Sequence, residues 1–198
     1  MNHMRPRRFI EGNRIYLREV RLSDANEKYY RWMNDPEIIR YLESRFDPKS
    51  VEMLQSYISR EEENQASVFM AIVDKNNDEH IGNIKIHGID HIHRHAQVSL
   101  IIGEKEYWGK GYGSEAINLV VDFAFNTLNL YRLFACIYAS NAGSIKAFKK
   151  ANFFEEGVRK EHRFYNGRYV DEVALAIIRP THKNQGANLS KTRKFQSK

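Results

Sequence analysis

The residue types that could do chemistry are concentrated in a glycine-rich turn made of Trp108, Gly109, Lys110, Gly111, Tyr112, Gly113 and Ser114. The turn follows an apolar run at residues 98–102 and precedes an amphipathic helical pattern. Glycine has no Cβ, so its backbone adopts positive φ readily and brings N–H groups close to a ligand. The positive end of the following helix points the same way. The turn is therefore predicted to bind an anion, most directly a pyrophosphate, and the alternative is a purely structural turn.

Spacing separates this turn from two common nucleotide-binding motifs. In a P-loop the lysine follows the second glycine and precedes Ser or Thr, whereas Lys110 lies between glycines here. A dinucleotide-binding fingerprint has a longer interval before its third glycine, whereas only Tyr112 separates Gly111 from Gly113. The turn therefore fits neither motif.

A second segment favours the functional interpretation. Residues 132–139 are predicted to form a strand, and Asn141 and Ser144 then open a helical pattern about 30 residues beyond the turn. Together the two segments resemble the GNAT superfamily of acyl-CoA-dependent N-acetyltransferases, from about residue 15 to residue 178. In that family the turn has the form [Gln/Arg]-x-x-Gly-x-[Gly/Ala]. Trp108 replaces the usual Gln or Arg, as in the branch that includes ribosomal-protein and spermidine acetyltransferases.

The resemblance implies an enzyme that moves an acetyl group from acetyl-CoA to a primary amine by direct attack in a ternary complex. It implies an α/β (α+β) fold, a single GNAT-like domain whose central, mostly antiparallel, splayed sheet has helices on both faces. Free N–H groups of the central strand would bind the pantetheine arm and polarise the thioester. The cofactor-binding residues carried over are Leu100, Ile101, Ile102, Trp108, Gly109, Lys110, Gly111, Tyr112, Gly113, Ser114, Asn141, Ser144 and Phe148.

The catalytic positions depart from the family pattern. Phe148 occupies the place of a tyrosine that commonly protonates the leaving thiolate, and phenylalanine has no proton to donate. Ser144 is the substitute that some ribosomal-protein acetyltransferase relatives suggest, and Tyr138 and Asn141 are the other candidate catalytic residues. The alternatives are a helix-capping role for Ser144 and a packing role for Tyr138.

The general base is also missing from its usual place. Gln97 stands where a glutamate often relays the proton of the amine, and an amide is no base at ordinary pH. Glu104 and Glu106 are the remaining candidates, unless both are simply solvated. An amine of low pKa needs no strong base, which favours amino sugars or α-amino groups over polyamines.

The acceptor is predicted from the N-terminal helices, the variable part of the family. Trp32, Arg45 and Gln97 are the candidate substrate-binding residues, since aromatic rings stack on sugars or bases and arginine pairs with a diphosphate. This N-terminal segment resembles family members thought to acetylate amino sugars, so the resemblance implies an amino sugar as acceptor, with or without a linked nucleotide. A ribosomal-protein or peptide N-terminus and a polyamine are the alternatives, and a CoA-binding module without turnover is the non-enzymatic one.

Composition and charge limit the remaining classes. The 198-residue chain has a formal net charge of +6, and the excess lies at its ends. Residues 1–12 are expected to be a flexible basic N-terminus and residues 181–198 a disordered basic tail, which leaves residues 13–180 as the domain. This distribution argues against nucleic-acid binding. No apolar run approaches the ~18 residues that span a bilayer, so no membrane contact is expected.

Cysteine and histidine usage add further expectations. Cys136 is the only cysteine, which indicates a reducing, cytoplasmic setting and a core position for this side chain. His87, His91, His93 and His95 are expected in a loop, solvated or reaching into the acceptor pocket, and no metal is expected.

The resemblance also implies a homodimer.

The elements that must position these residues alternate along the chain. Strands are predicted at residues 14–20, 67–74, 79–86 and 132–139, and helices at residues 23–33, 50–63 and 114–127, with a loop at residues 87–95. Asn166 and Gly167 predict a type I′ hairpin, so the last two strands should be antiparallel.

Overall fold

The computed structural model describes residues 8–180. The predicted tail at residues 181–198 and most of the predicted flexible N-terminus lie outside the described residues. The strands are β1 (Ile10–Glu11), β2 (Ile15–Glu19), β3 (Ser67–Asp74), β4 (Glu79–Asp90), β5 (His95–Ile102), β6 (Arg132–Tyr138), β7 (Phe154–Tyr165) and β8 (Arg168–Ile178). The α-helices are α1 (Glu27–Asn34), α2 (Pro36–Ile39), α3 (Val51–Glu63), α4 (Tyr112–Asn126) and α5 (Ala142–Lys150).

These strands form one sheet in the order β1-β2-β3-β4-β5-β6-β8-β7. Every neighbouring pair is antiparallel except β5 and β6, which run parallel. Asn166 and Gly167 both have positive φ at the turn between β7 and β8, as a type I′ hairpin requires. The predicted mostly antiparallel sheet and its last hairpin are confirmed.

The sheet splays open between its two central strands. β5 and β6 pair only over residues 95–97 and 132–134, although β5 continues to Ile102 and β6 to Tyr138. Backbone groups on the facing edges beyond Gln97 and Phe134 therefore have no strand partner, whereas most such groups in proteins are paired. The resulting gap closes at Gln97 and opens toward Ile102.

Helices cover both faces of the sheet. Ile117 and Val120 of α4 share the main apolar core with Ile72 of β3. Leu54 of α3 belongs to a second apolar cluster, against which Phe69 of β3 packs. Because successive residues of a strand point to opposite faces, α1 to α3 lie on one side and α4 with α5 on the other.

Two predicted boundaries near the N-terminus are wrong. Residues 10–11, expected to be flexible, pair with β2. α1 begins at Glu27 with Asn26 as its cap, because Ser23 and Asp24 belong to a 3₁₀ turn instead. The carboxylate of Asp24 instead accepts hydrogen bonds from Arg18 and from the backbone N–H of Arg21 within this turn.

The predicted loop at residues 87–95 is also wrong, because most of it is strand. β4 continues to Asp90 and β5 begins at His95, with a register irregularity between His87 and Asp90. The irregularity interrupts the regular alternation of side chains that would have indicated a strand. His87 and His95 consequently lie in the sheet, with His91 and His93 in the turn between its strands.

Candidate active site

A cavity of about 530 Å³ occupies the splay beside the glycine-rich turn, and we call it the glycine-turn cavity. The predicted residues on its wall are Leu100, Ile101, Ile102, Trp108, Gly109, Gly111, Tyr112, Gly113, Ser114, Asn141, Ser144 and Phe148. They come from β5, the start of α4 and α5. The fold thus brings together all of the residues selected for cofactor binding except Lys110.

The glycine-rich turn presents free backbone N–H groups at the start of α4. Gly109 and Gly111 have φ values of 72° and 89°. Gly111 is the N-cap and supplies no side chain to the first turn. The first helical hydrogen bond runs from Glu115 N to Gly111 O, so the N–H groups of residues 112–114 have no helical acceptor. These N–H groups and the helix dipole together favour an anion.

Two residues of the turn differ from expectation. Gly113 lies in the first turn of α4, where a Cβ would stand 3.3 Å from Leu100 Cδ1, so this glycine allows close helix–sheet packing and supplies no positive φ. Lys110 is absent from the wall of the cavity. Its carbonyl oxygen accepts a hydrogen bond from Arg14 Nη1 at 2.9 Å, which ties the turn to the start of β2.

Trp108 stabilises the turn from its other end. Its indole Nε1 donates to the carbonyl oxygen of Ile102 at 2.8 Å. That carbonyl is at the end of β5, next to the open part of the splay. Trp108 therefore fixes the turn relative to the strand.

Two lysines that the sequence analysis did not select also lie on this wall. Lys146 and Lys150 are four residues apart on α5, so their side chains share one helix face. Cationic side chains at this position would add charge attraction to the backbone anion site. The sequence signal that could have identified Lys146 and Lys150 is their spacing of four residues on the helix that Asn141 and Ser144 begin.

The start of α5 separates the roles of Asn141 and Ser144. Asn141 Oδ1 accepts a hydrogen bond from the backbone N–H of Ser144 at 3.1 Å, so Asn141 caps this helix. The cap thus needs no hydroxyl from Ser144, which lies on the cavity wall. Phe148 is buried, with its ring packed edge-on against Phe153.

A second cavity of about 960 Å³ lies between the sheet and α3, and we call it the α3 cavity. Tyr29, Tyr57, Arg60 and His87 lie on its wall. The residues that line both cavities are Tyr41, Leu42, Gln97, Ser99, Leu100, Ile101, Cys136 and Tyr138. The two cavities therefore meet along the splayed strands.

Tyr138 carries a polar group at this junction. Its hydroxyl accepts a hydrogen bond from Arg45 Nη2 at 2.9 Å and donates one to Glu43 Oε1 at 3.1 Å. Burial, opposed by Arg45, raises the pKa of Tyr138 above its ordinary value, so the hydroxyl keeps its proton at neutral pH. Since the Glu43 side chain is 61% exposed, the hydroxyl connects the junction with solvent.

Arg45 itself lies on neither cavity wall, contrary to its expected contact with substrate. Its Nη1 donates to Leu42 O, and its Nη2 donates to Phe164 O as well as to Tyr138. Three N–H donors of Arg45, including both of Nη2, are thus bonded to the protein, so Arg45 positions Tyr138.

A buried carboxylate supports the same junction. Glu172 is 0% exposed and pairs with Arg159 Nη1 and Arg163 Nε, each at 2.5 Å. Arg163 Nη1 also contacts Glu43 Oε1 at 3.0 Å. No sequence pattern predicts this network, because β7 and β8 change register between Arg159 and Arg163.

Trp32, a predicted substrate contact, is a core residue. It is 2% exposed and lies on neither wall, and its Nε1 donates to Glu104 Oε1 at 3.0 Å. A Cβ on Gly103 would stand 2.0 Å from the indole ring, so this glycine makes room for it. Neither Glu104 nor Glu106, the candidate bases, lies on a cavity wall.

Cys136 was expected in the core but is only partly buried and lines both cavities. Alternation along β6 turns it, with Tyr138, toward the face that α3 covers. Burial and the nearby Glu172 raise the pKa of the Cys136 thiol. The thiol is therefore protonated at neutral pH and is a weak nucleophile.

His87 and Gln97 meet on the wall of the α3 cavity. They are register partners on β4 and β5, so their side chains lie on one face, at the closed end of the splay. Burial and Lys85 lower the pKa of His87, while Glu61 opposes them. The imidazole is therefore neutral at pH 7 and able to accept a proton.

His93 and His95 stack with ring centroids 6.2 Å apart, and His95 Nε2 lies 4.0 Å from Asp90 Oδ2. Among the described residues, no group of three or more His, Cys, Asp or Glu side chains is arranged to hold a metal ion.

Within residues 8–180, no helix is both long and apolar enough to span a membrane.

Comparison with known proteins agrees with this geometry. Residues 14–153 match the family model of the acetyltransferase (GNAT) domain. An uncharacterized N-acetyltransferase of Bacillus licheniformis is 32% identical over 169 residues, which is 84% of this chain and 93% of the relative. Spermidine N(1)-acetyltransferase of Escherichia coli is 33% identical over 117 residues, covering 57% of this chain and 62% of the relative.

A solved structure is similar over most of the chain. It is spermidine N-acetyltransferase from Vibrio cholerae in complex with CoA and spermine, with a TM-score of 0.74 and 27% identity over 83% of this chain and 95% of that one. The chain belongs to the GNAT family of acetyltransferases. It is an acetyl-CoA-dependent N-acetyltransferase.

Proposed function

We propose that this enzyme transfers the acetyl group directly, in a ternary complex, to the primary amine of an oxygen-rich, anion-bearing small molecule of the amino-sugar class. Acetyl-CoA would lie in the glycine-turn cavity and the amine in the α3 cavity. The observation that carries the proposal is the wall shared by the two cavities, from Gln97 to Tyr138. Two substrates can meet there through the gap between β5 and β6.

The features of the first cavity suit acetyl-CoA. The free N–H groups of residues 112–114 would hold the pyrophosphate, with Lys146 and Lys150 beside it. The pantetheine arm would follow the unpaired edge of β5 toward Gln97. An unpaired N–H of β5 would then donate to the thioester oxygen, where negative charge develops during attack.

Tyr138 is the proposed proton donor. When the amine nitrogen bonds to the acetyl carbon, the carbon–sulfur bond breaks and the thiolate takes the Tyr138 proton. Its hydroxyl lies at the junction and still carries its proton at pH 7, and Glu43 connects it with solvent for reprotonation. Ser144 lies only on the glycine-turn cavity and is the second candidate donor.

His87 is the proposed acceptor of the amine proton. It stands beside Gln97, where the gap between β5 and β6 closes and the arm must end. A neutral imidazole on the acceptor side can take the proton directly or through one water. The base is thus on the strand next to the one where the family pattern predicted it.

The charges of the α3 cavity favour an acceptor that carries an anion. The basic residues on its wall are Lys49, Arg60, Lys85 and Arg163, and the acidic residues are Glu43 and Glu52. Arg163 already contacts Glu43, and Lys85 is paired with Glu61. A polyamine brings several positive charges, for which the wall offers few free carboxylates. A sugar phosphate would place its anion near Arg60.

A polyamine is the second candidate, because the relatives compared above include spermidine acetyltransferases. Thiol release from acetyl-CoA separates the two when glucosamine 6-phosphate, a peptide with a free N-terminus and spermidine are compared at equal concentration. We expect the largest kcat/KM for the sugar phosphate. A larger value for spermidine would overturn the proposed acceptor class.

A further inference from the structure

One buried amide in the α3 cavity has an unused hydrogen-bond donor. Asn83 lies on the cavity wall and is 2% exposed. Its Nδ2 has no hydrogen-bond partner of normal geometry within residues 8–180. Buried amide N–H groups are normally paired, and an unpaired one destabilises the fold.

The neighbouring histidine fixes the direction of this amide. His80 Nε2 lies 2.9 Å from Gly82 O and 2.8 Å from Asn83 Oδ1. Gly82 O can only accept, so Nε2 carries the proton and donates to both oxygens. Burial lowers the pKa of His80 and keeps the ring neutral, against the opposing charge of Asp24. Asn83 Oδ1 is therefore committed to His80, and Nδ2 remains available.

Within residues 8–180, no neighbouring group accepts a hydrogen bond of normal geometry from this donor. Burial raises the pKa of Tyr29, and the Asn83 amide opposes that rise from close by without forming a hydrogen bond of normal geometry. Ser44 Oγ on the same wall is also buried without a hydrogen-bond partner among the described residues. The α3 cavity thus contains two polar groups for a ligand to satisfy.

We infer that Asn83 is a specificity-determining residue whose Nδ2 donates a hydrogen bond to an oxygen atom of the acceptor, a hydroxyl, carboxylate or phosphate oxygen. This inference rests on the proposed binding of the acceptor in the α3 cavity. A protonated polyamine has N–H donors and no acceptor atom, so it would leave Nδ2 unpaired. A site built to bond such an oxygen rejects analogues that lack it.

The test compares glucosamine, cyclohexylamine and spermidine in thiol-release kinetics with the full chain. Asn83→Asp keeps the oxygen that accepts from His80 and removes the amide donor. We expect the preference for glucosamine over cyclohexylamine, as a ratio of kcat/KM, to fall by about tenfold or more. The KM for acetyl-CoA should stay unchanged. Asn76→Asp, an identical change in the exposed turn between β3 and β4, should leave the ratio intact.

Ser56→Trp fills the rim of the α3 cavity from the exposed side of α3 and tests the cavity itself. If it raises the KM of every amine while Asn83→Asp leaves the ratio unchanged, the cavity takes the acceptor and the inference about Asn83 is wrong. If neither variant affects any amine, the proposed acceptor site fails and the inference fails with it.

Wild-type enzyme provides a test that does not depend on folding of the variant. Glucosamine analogues that each lack one hydroxyl keep the amine and the ring. At least one should show a kcat/KM about tenfold below that of glucosamine, because the unpaired Nδ2 then lacks its acceptor. Equal values across the series would overturn the inference.

Discussion

The Tyr138 hydroxyl connects the place where the two cavities meet with the surface of the protein. Arg45 donates a hydrogen bond to this hydroxyl, and Glu43 accepts one from it. Arg163, which pairs with Glu172, also contacts Glu43. Sequence reasoning selected Tyr138 from its place at the end of a strand. It could not find the hydrogen-bond partners Arg45 and Glu43, which lie 93 and 95 residues away in sequence.

Tyr138→Phe removes the proposed proton donor and keeps the ring. We expect kcat to fall by about 10²-fold, the lower end of general-acid effects, with KM for acetyl-CoA unchanged. Tyr165→Phe is the matched control, since Tyr165 stacks on Tyr41 in the same aromatic cluster but lies on neither cavity wall. Steady-state kinetics checks both, and an equal loss in the two variants would contradict the assignment. A larger loss in Ser144→Ala would transfer the role to Ser144.

His87→Gln tests the proton acceptor through the pH profile of kcat/KM. Protonation abolishes a base, so activity should decline as the pH falls through the His87 pKa, which lies below its ordinary value of about 6.5. With an amine that is also protonated in this range, the logarithmic slope should approach 2 in the wild type and 1 in the variant. Lys85 and Glu61, the charged groups facing His87, remain in both proteins.

His93→Gln, in the turn between β4 and β5, is the control and should keep the wild-type slope. An unchanged profile in His87→Gln would show that the amine loses its proton elsewhere. Equal slopes in the wild type, His87→Gln and His93→Gln would likewise show that His87 does not accept the proton.

Local patterns predicted most elements because their signals are short-range. Apolar spacing indicated α4, Ser50 indicated the start of α3, and Asn166 with Gly167 indicated the last hairpin. Contacts between distant segments were not predictable in the same way. Trp32 was taken for a substrate contact because nothing in its neighbourhood shows that Gly103 makes room for its ring.

Gly111→Val tests the start of α4 as the phosphate site. Gly111 has φ of 89°, and a β-branched residue is strained there and would crowd the N–H groups of residues 112–114. We expect acetyl-CoA to bind at least about tenfold more weakly in calorimetry, because a shift of about 1.4 kcal/mol has that effect. Gly167→Val introduces similar strain at φ 78° in the β7–β8 turn and should leave the affinity unchanged. Unchanged affinity in Gly111→Val would contradict the site.

The fold was predictable because one family resemblance covers nearly all of the chain. The acceptor was not predictable in this way. The predicted cofactor residues occupy the end of β5, the glycine-rich turn and α5, but the α3 cavity draws its wall from α1, α3 and strands β3 to β7. No motif spans such a set. The implied homodimer stays a prediction.

A buried ion pair secures the helical layer on the α3 side of the sheet. Arg18 donates two hydrogen bonds to Asp24 at 2.7 and 2.8 Å, and Arg21 N donates a third. Burial alone would raise the pKa of Asp24, but these bonds hold it below its ordinary value. The pair therefore contributes stability above about pH 3.9, which is lost as the pH falls through the pKa of the folded state.

Asp24→Asn should lower the free energy of unfolding at pH 7 by about 3 kcal/mol, because it leaves Arg18 buried without its charge partner. The deficit relative to wild type should shrink as the pH falls from about 3.9, where Asp24 of the unfolded chain becomes protonated, through the lower pKa of Asp24 in the folded state. Urea unfolding at several pH values measures this. Glu62→Gln on the exposed side of α3 should change the stability by less than about 0.5 kcal/mol. A constant deficit down to pH 2 would contradict the ion-pair account.

Direct transfer between two cavities that share a wall is tested most directly by initial rates with acetyl-CoA and an accepted amine both varied. Cys136 lies at the junction and is the group that could otherwise carry the acetyl in two steps. We expect intersecting double-reciprocal lines, and largely retained kcat in Cys136→Ala. Parallel lines, loss of turnover in Cys136→Ala and an acetyl group on Cys136 by mass spectrometry would contradict transfer in a ternary complex.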